Sequence, residues 1–310
     1  MLREFTDSTD IAMDGPALAA RLERDGYLFI RGLLPRDAVR EVRLRFLEIA
    51  ARGGWIDPAH PLEASIAVPA RACKDPEPAY LEVFREMWML EELHRIKHHP
   101  NLVGTFERIF GEAVLVHPLL VARNIFPQRE DFDFTTGSHQ DRIHIGGGTS
   151  YAAWTPLGEC PRAKGSLIMA EGSHRRGVLD FRLARGAGGL ELVDDFEGSW
   201  VGSDFAMGDV VIFADTIAHK ALPAPVLRAP RRHRLRARGA RRHAGPRHAA
   251  ARRAARPRRR EARAGRGAAL PARRRLPRGG VTRAPRAPRG ARDGVAFAHF
   301  TDEKAVGCRM

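Results

Sequence analysis

The amino-acid sequence predicts a mainly β fold with flanking helices, a jelly-roll barrel carried by residues 1–223 of 310. Two observations carry that expectation. Short apolar, β-branched runs at 114–126, 151–157, 165–170 and 205–213 are punctuated by glycine and proline, the pattern of strands rather than of long helices. A His-x-Asp pair, His139 and Asp141, and a later histidine, His219, accompany two of these runs, and the inward-facing side chains of a jelly roll converge at its mouth.

Ahead of the strands, residues 16–25 and 35–52 read as amphipathic helices around a short strand at 27–30. Leu33, Leu34, Val39, Val42, Phe46 and Ile49 approximate helical spacing. Pro35 suits an early helix position, and Gly53-Gly54 end the second helix. Residues 55–76 are irregular because Pro58, Pro61, Pro69 and Pro76 interrupt any long element. Two helices broken at Pro100 are expected from 77 to 110. His94 and His98 lie one helical turn apart there, but no third metal ligand is evident nearby, so a solvated helix end is the expectation. The Gly146-Gly147-Gly148 run lacks the residues of a dinucleotide or phosphate loop and reads as a turn. His174 reads as a structural hydrogen-bonding residue and Asp209 as a turn residue ahead of a core strand.

His139 and Asp141 are two residues apart, so on an extended strand both project from one face and can reach one metal. With His219 they form a set of two imidazoles and one carboxylate. Such a set leaves half an octahedron open, which suits a non-haem Fe(II) centre that binds a co-substrate and O2 side by side. Asp215, four residues before His219, is a competing carboxylate.

The charge is unevenly placed. Of a formal net +15, residues 228–289 hold 24 Arg, no Lys and one acid, Glu261, while the remainder carries 28 basic and 36 acidic residues. An acidic, enzyme-like body carries a basic segment. Almost everything from 228 to 289 is Arg, Ala, Pro or Gly, a vocabulary that cannot bury enough apolar surface to offset its ordering entropy. Residues 224–290 are therefore expected to be a low-complexity, disordered segment. Those four residues are also the ones encoded by codons opening with two G or C bases, so a GC-rich gene read out of frame from near residue 224 accounts for the composition. Residues 291–310 are expected to be a C-terminal tail. No basic stretch followed by an apolar one opens the chain, and no run reaches the roughly eighteen apolar residues of a membrane span. Cys73, Cys160 and Cys308 show no paired spacing, which points to a reducing, cytoplasmic setting.

The ordered set Gly137-Ser-His-Gln-Asp141, Trp154, Gly165-Ser-Leu-Ile-Met-Ala-Glu-Gly-Ser-His174, Met207-Gly-Asp-Val-Val-Ile-Phe213 and His219 resembles the phytanoyl-CoA dioxygenase family. The likeness extends upstream through Asp25-Gly-Tyr-Leu-Phe-Ile-Arg-Gly-Leu-Leu-Pro35 and spans residues 15–223; Glu171 stands where the family carries proline. The resemblance implies a double-stranded β-helix, cupin-like, and an Fe(II)- and 2-oxoglutarate-dependent oxygenase. By the same resemblance His139, Asp141 and His219 hold Fe(II), and Gln140 and Trp154 line the co-substrate pocket. The family's last core strand carries an Arg about ten to twelve residues after the second His, forked onto the distal carboxylate of 2-oxoglutarate. That role falls to Arg228 or Arg231. Neither stands in a strand-like sequence, so the last core strand is expected to be lost.

The function expected is therefore hydroxylation of a small organic or acyl substrate, with Fe(II), 2-oxoglutarate and O2. Asp141, where halogenating relatives have Gly or Ala, favours hydroxylation. Three other readings stay open: a cupin-like metal protein that does not use 2-oxoglutarate, an Arg-rich nucleic-acid-binding protein, and an inactive oxygenase remnant. Neither nucleic acid nor membrane is the expected partner, and the sequence gives no oligomeric state.

Overall fold

A computed structural model describes residues 2–127, 136–142, 150–184, 190–223 and the strand at 295–302. These residues belong to one unit formed by residues 1–230 and 291–310. Residues 224–290, with Arg228 and Arg231, lie outside the described residues, as do 143–149 with their glycine run.

The N-terminal layer is helical. Helix α1 (Gly15–Asp25) opens on Asp14, whose carboxylate accepts from Ala17 N at 3.0 Å, and closes on Gly26 at φ 86°. Gly26 is needed twice over. A left-handed conformation strains other residues, and a Cβ here would stand 2.3 Å from Nδ1 of His174. Strand β1 (Tyr27–Ile30) and helix α2 (Arg36–Arg52) follow. The expected two helices between 77 and 110 are three: α3 (Pro78–Trp88), α4 (Glu91–Ile96) and α5 (Pro100–Phe110). The additional break falls at Met89-Leu90, where Leu90 takes up extended backbone before α4.

Nine further strands follow among the described residues: β2 (Leu115–Asn124), β3 (Ser150–Pro156), β4 (Leu167–Ala170), β5 (Phe181–Leu183), β6 (Leu190–Leu192), β7 (Trp200–Val201), β8 (Val210–Ala214), β9 (His219–Ala221) and β10 (Val295–Asp302). The larger sheet runs β1-β8-β3-β10-β2 and the smaller β7-β4-β9, while β5 and β6 pair as a hairpin. The two main sheets are the faces of the expected jelly roll. The region after residue 223 is not without a core strand: β10 runs parallel to both β2 and β3, with Val295 opposite Leu115 on one side and Ser150 on the other.

Period-two alternation divides the large sheet's side chains between two cores. Leu28 and Ile30 of β1, Ala153 of β3, and Val210 and Ile212 of β8 pack against the helices, beside Leu18, Phe46 and Phe106. The intervening residues Tyr27, Phe29, Ala152, Trp154, Val211 and Phe213 face the barrel interior, where Leu167 and Met169 of β4 and Val201 of β7 meet them. Phe205 is a hub of that interior, with ring centroids 5.9 Å from Phe5, 5.2 Å from Phe29 and 4.8 Å from Trp154, all at steep angles. Such edge-to-face pairs each add about 0.5–1.5 kcal/mol beyond burial. Because the strands are buried on both faces, they carry the near-continuous apolar runs seen in the sequence.

Candidate functional site

At one end of this interior three ligating side chains meet. His219 opens β9 directly opposite Met169 of β4, on the interior face. A single antiparallel bridge joins it to His139: His139 N donates to His219 O at 2.9 Å, and His219 N to His139 O at 3.0 Å. The two rings come to 4.1 Å between centroids. Only His139 of the tripeptide lies in sheet register; the chain turns at Asp141. Asp141 Oδ1 nevertheless lies 3.8 Å from His139 Nε2 and 3.7 Å from His219 Nε2.

Both imidazoles are oriented from behind. Nδ1 of His139 bonds the carbonyl of Gly137 at 2.9 Å, and Nδ1 of His219 that of Ile217 at 3.1 Å. A carbonyl only accepts, so each Nδ1 carries the proton and each Nε2 presents a lone pair to the cluster. Desolvation, reinforced by the adjacent His219, pushes the pKa of His139 down to about 3, which keeps the ring neutral and able to ligate. The ligating atoms of His139, Asp141 and His219 all lie within 4.8 Å of one another, a grouping that could hold a metal ion. Adjacent donors on a metal with bonds of about 2.1 Å stand roughly 3 Å apart, so each histidine closes on Asp141 by under an ångström. Donor chemistry and spacing therefore fit a two-histidine, one-carboxylate centre. His139 keeps 17% of its side chain exposed, against 6% for each of the other two.

The remaining residues singled out from the sequence are placed as follows. Trp154 is buried on the interior face of β3, diagonal to Phe213, whose ring lies 5.0 Å from that of His219. Gln140 points away from the cluster. Its side chain is fully buried; its amide nitrogen donates to the carbonyls of Gly177, at 2.9 Å, and Thr216, and its oxygen accepts from Leu179 N at 2.9 Å. It staples three stretches of backbone together. His174 donates from Nε2 to Glu23 O at 2.9 Å, tying the 173–176 turn to the end of α1. Asp215 faces Arg142 and Ser150 rather than the two imidazoles. His94 bonds Trp88 O at 2.7 Å, a structural role. The Arg142–Asp215 pair leaves little mark in the sequence: a cation directly after Asp141 and an acid four residues before the second histidine.

A model of the phytanoyl-CoA dioxygenase family matches residues 22–225. The chain is 27% identical over 235 residues to the 1-deoxypentalenic acid 11-beta-hydroxylase of Streptomyces arenae, covering 71% of this chain and 78% of that protein. It is 23% identical to a probable phytanoyl-CoA dioxygenase of Caenorhabditis elegans, over 68% of this chain and 72% of that one. Among solved structures, the apo form of the non-haem monooxygenase ThoJ is similar at 17% identity and a TM-score of 0.44, over 67% of this chain and 72% of the other. With two thirds of its length matched by that one model, the chain belongs to the phytanoyl-CoA dioxygenase family, a family of Fe(II)- and 2-oxoglutarate-dependent oxygenases.

Proposed function

We propose that this chain hydroxylates a small organic substrate at an Fe(II) centre held by His139, Asp141 and His219, with 2-oxoglutarate as co-substrate and O2 as oxidant. The observation that carries this reading is the convergence of the three ligating atoms at the end of the apolar interior. Bound Fe(II) would supply the activation of O2 that a C–H bond of low reactivity requires. The protein's part is positional. Carbonyls behind the two imidazoles fix their tautomer, Asp141 supplies the negative charge, and the wall of Phe213, Trp154 and Met169 keeps water from the interior side. The relatives that hydroxylate 1-deoxypentalenic acid support a small organic acid as the substrate class.

Trp154 is carried forward as a wall of the co-substrate pocket, and Arg228 or Arg231 as partner of the distal carboxylate. The family match stops at residue 225, beside the change of composition. This supports residues 1–223, completed in the larger sheet by β10, as the oxygenase domain and 224–290 as a separate low-complexity segment, for which reading the gene in another frame from codon 224 is the direct check. Among the described residues no helix is long and apolar enough to cross a membrane. Cys73 and Cys160 are buried and stand outside any disulfide, in keeping with the cytoplasm.

The test is metal content and turnover together. His139→Ala and His219→Ala, each folded, should lose stoichiometric Fe(II), because two remaining ligands seldom hold this metal against water. The parent should release succinate from 2-oxoglutarate. Iron retained in both variants would end the assignment of the ligands, and oxidation of substrate without succinate would favour the 2-oxoglutarate-independent alternative.

A further inference from the structure

We propose that the Arg142–Asp215 ion pair is the positioning device that holds Asp141 in place against the two histidines; the proposal rests on the metal reading of the site. His139 and His219 are fixed by their mutual backbone bridge. Asp141 lies beyond that bridge, where the chain turns, and a carboxylate on a turn needs another restraint. The next residue supplies it. Arg142 donates from Nη2 to Asp215 Oδ1 at 2.9 Å and from its backbone N to Asp215 O at 3.0 Å. Side chain and main chain of Arg142 are thus both clamped to one partner.

Asp215 is in turn held on its other side. Its Oδ2 accepts from the Ser150 hydroxyl, and its backbone N donates to Ser150 O at 3.2 Å, which anchors it to the first residue of β3. It is 1% exposed and stands in the turn that leads to β9, where Ile217 N donates to Ala214 O at 2.9 Å and Ile217 O orients the His219 ring. The pair thus joins the residue after Asp141 to the turn, two residues on from Asp215, whose Ile217 carbonyl stands behind His219. Asp215, the carboxylate that sequence spacing offers as a rival ligand, acts through the true ligands instead. The chemistry matches the way outer partners generally orient metal-binding side chains: a charged hydrogen bond that fixes direction without touching the ion.

The experiment uses the full chain and Co(II), whose visible absorption reports coordination geometry independently of turnover. Asp215→Asn keeps the shape and the Ser150 contact but removes the charge; Arg142→Gln removes the other half. Each should weaken Co(II) binding about ten- to a hundredfold and alter the visible bands, while far-ultraviolet dichroism stays that of the parent. Arg142→Lys should recover part of the affinity, and the double variant should bind no more than about threefold weaker than the worse single one, since both remove one interaction. Parental affinity and spectrum in folded Asp215→Asn would overturn the proposal. Should that variant not fold, Ser150→Ala and Arg142→Lys decide it: unaltered Co(II) spectra in both would overturn it, and broadened or shifted bands would support it. A parent that binds no Co(II) would instead defeat the metal reading itself, whereas a parent that binds, loses binding in His219→Ala and ignores Asp215→Asn defeats the positioning role alone.

Discussion

Replacing Gln140 by Ala separates two roles that the same residue could have. If Gln140 lined the co-substrate pocket, truncation would weaken 2-oxoglutarate binding and leave the fold alone. The structure argues for the opposite result. Its fully buried amide satisfies the carbonyls of Gly177 and Thr216 and the N–H of Leu179, and truncation strands all three. A buried group left without its partner costs about 1–3 kcal/mol. Water entering the space freed by the side chain would satisfy some of them, so a total of about 3–5 kcal/mol is expected. A domain of this size loses about 2–4 °C of Tm per kcal/mol, which puts the fall at roughly 6–20 °C. Gln140→Glu should be at least as harmful, because it turns a carboxylate toward two carbonyl oxygens. The assay is thermal unfolding of both variants beside calorimetric titration with 2-oxoglutarate. A Gln140→Ala protein that melts within 2 °C of the parent but binds 2-oxoglutarate tenfold more weakly would refute the reasoning.

Three more outcomes are expected. Asp209 accepts from Gly32 N and Ala206 N, each at 2.9 Å, and Asp209→Ala should cost about 2–4 kcal/mol by chemical denaturation. Burial, opposed by those bonds and by Arg31, raises the Asp209 carboxyl above its ordinary 3.8. The folded state then binds the proton more readily than the unfolded one, so the group's contribution to stability falls as pH rises through that window; Asp209→Asn should flatten this part of the parent's Tm profile, and an identical slope would count against it. Gly208→Ala should destabilise by about 2–4 kcal/mol, since φ is 97° and a Cβ would lie 2.4 Å from the Leu34 carbonyl oxygen, a backbone atom that cannot swing aside. Ending the chain at residue 290 removes β10 and leaves facing edges on β2 and β3, so light scattering should show self-association that the full chain lacks.

What could be read from the sequence follows from where the physics is local. Tyr27 to Ile30 and Val210 to Phe213 alternate between two apolar cores, so their runs stand out as buried strands from composition alone. The hairpin of β5 and β6 was not legible. Each strand has only three residues, too few for a period to emerge, and Phe181 and Leu183 remain exposed. The break at Met89-Leu90 has no proline or glycine to mark it in the sequence. Strand β10 was hidden for a different reason: its partners Leu115 to Asn124 and Ser150 to Pro156 lie far upstream, and no local pattern records a parallel pairing across such a distance.

The site divides along the same line. The spacing of His139 and Asp141 suggested a strand with both side chains on one face, yet only His139 is registered in a sheet, through His219. Asp141 reaches the same point from a turn. A sheet ladder is periodic, and its consequences can be counted along a sequence. A turn held by Arg142 on Asp215 and by Gln140 on Thr216 depends on partners more than seventy residues away, which no spacing rule anticipates. Gln140 shows the difference most directly. Flanked by two candidate ligands, it invites a role in the same chemistry, but where the chain turns after His139 its side chain is buried on the other side. There it meets the loop at 177–179 and the turn before His219. Residue type and spacing can thus nominate the candidate ligands, while the turn that carries Asp141 is held by the neighbouring side chains of Gln140 and Arg142 on distant partners.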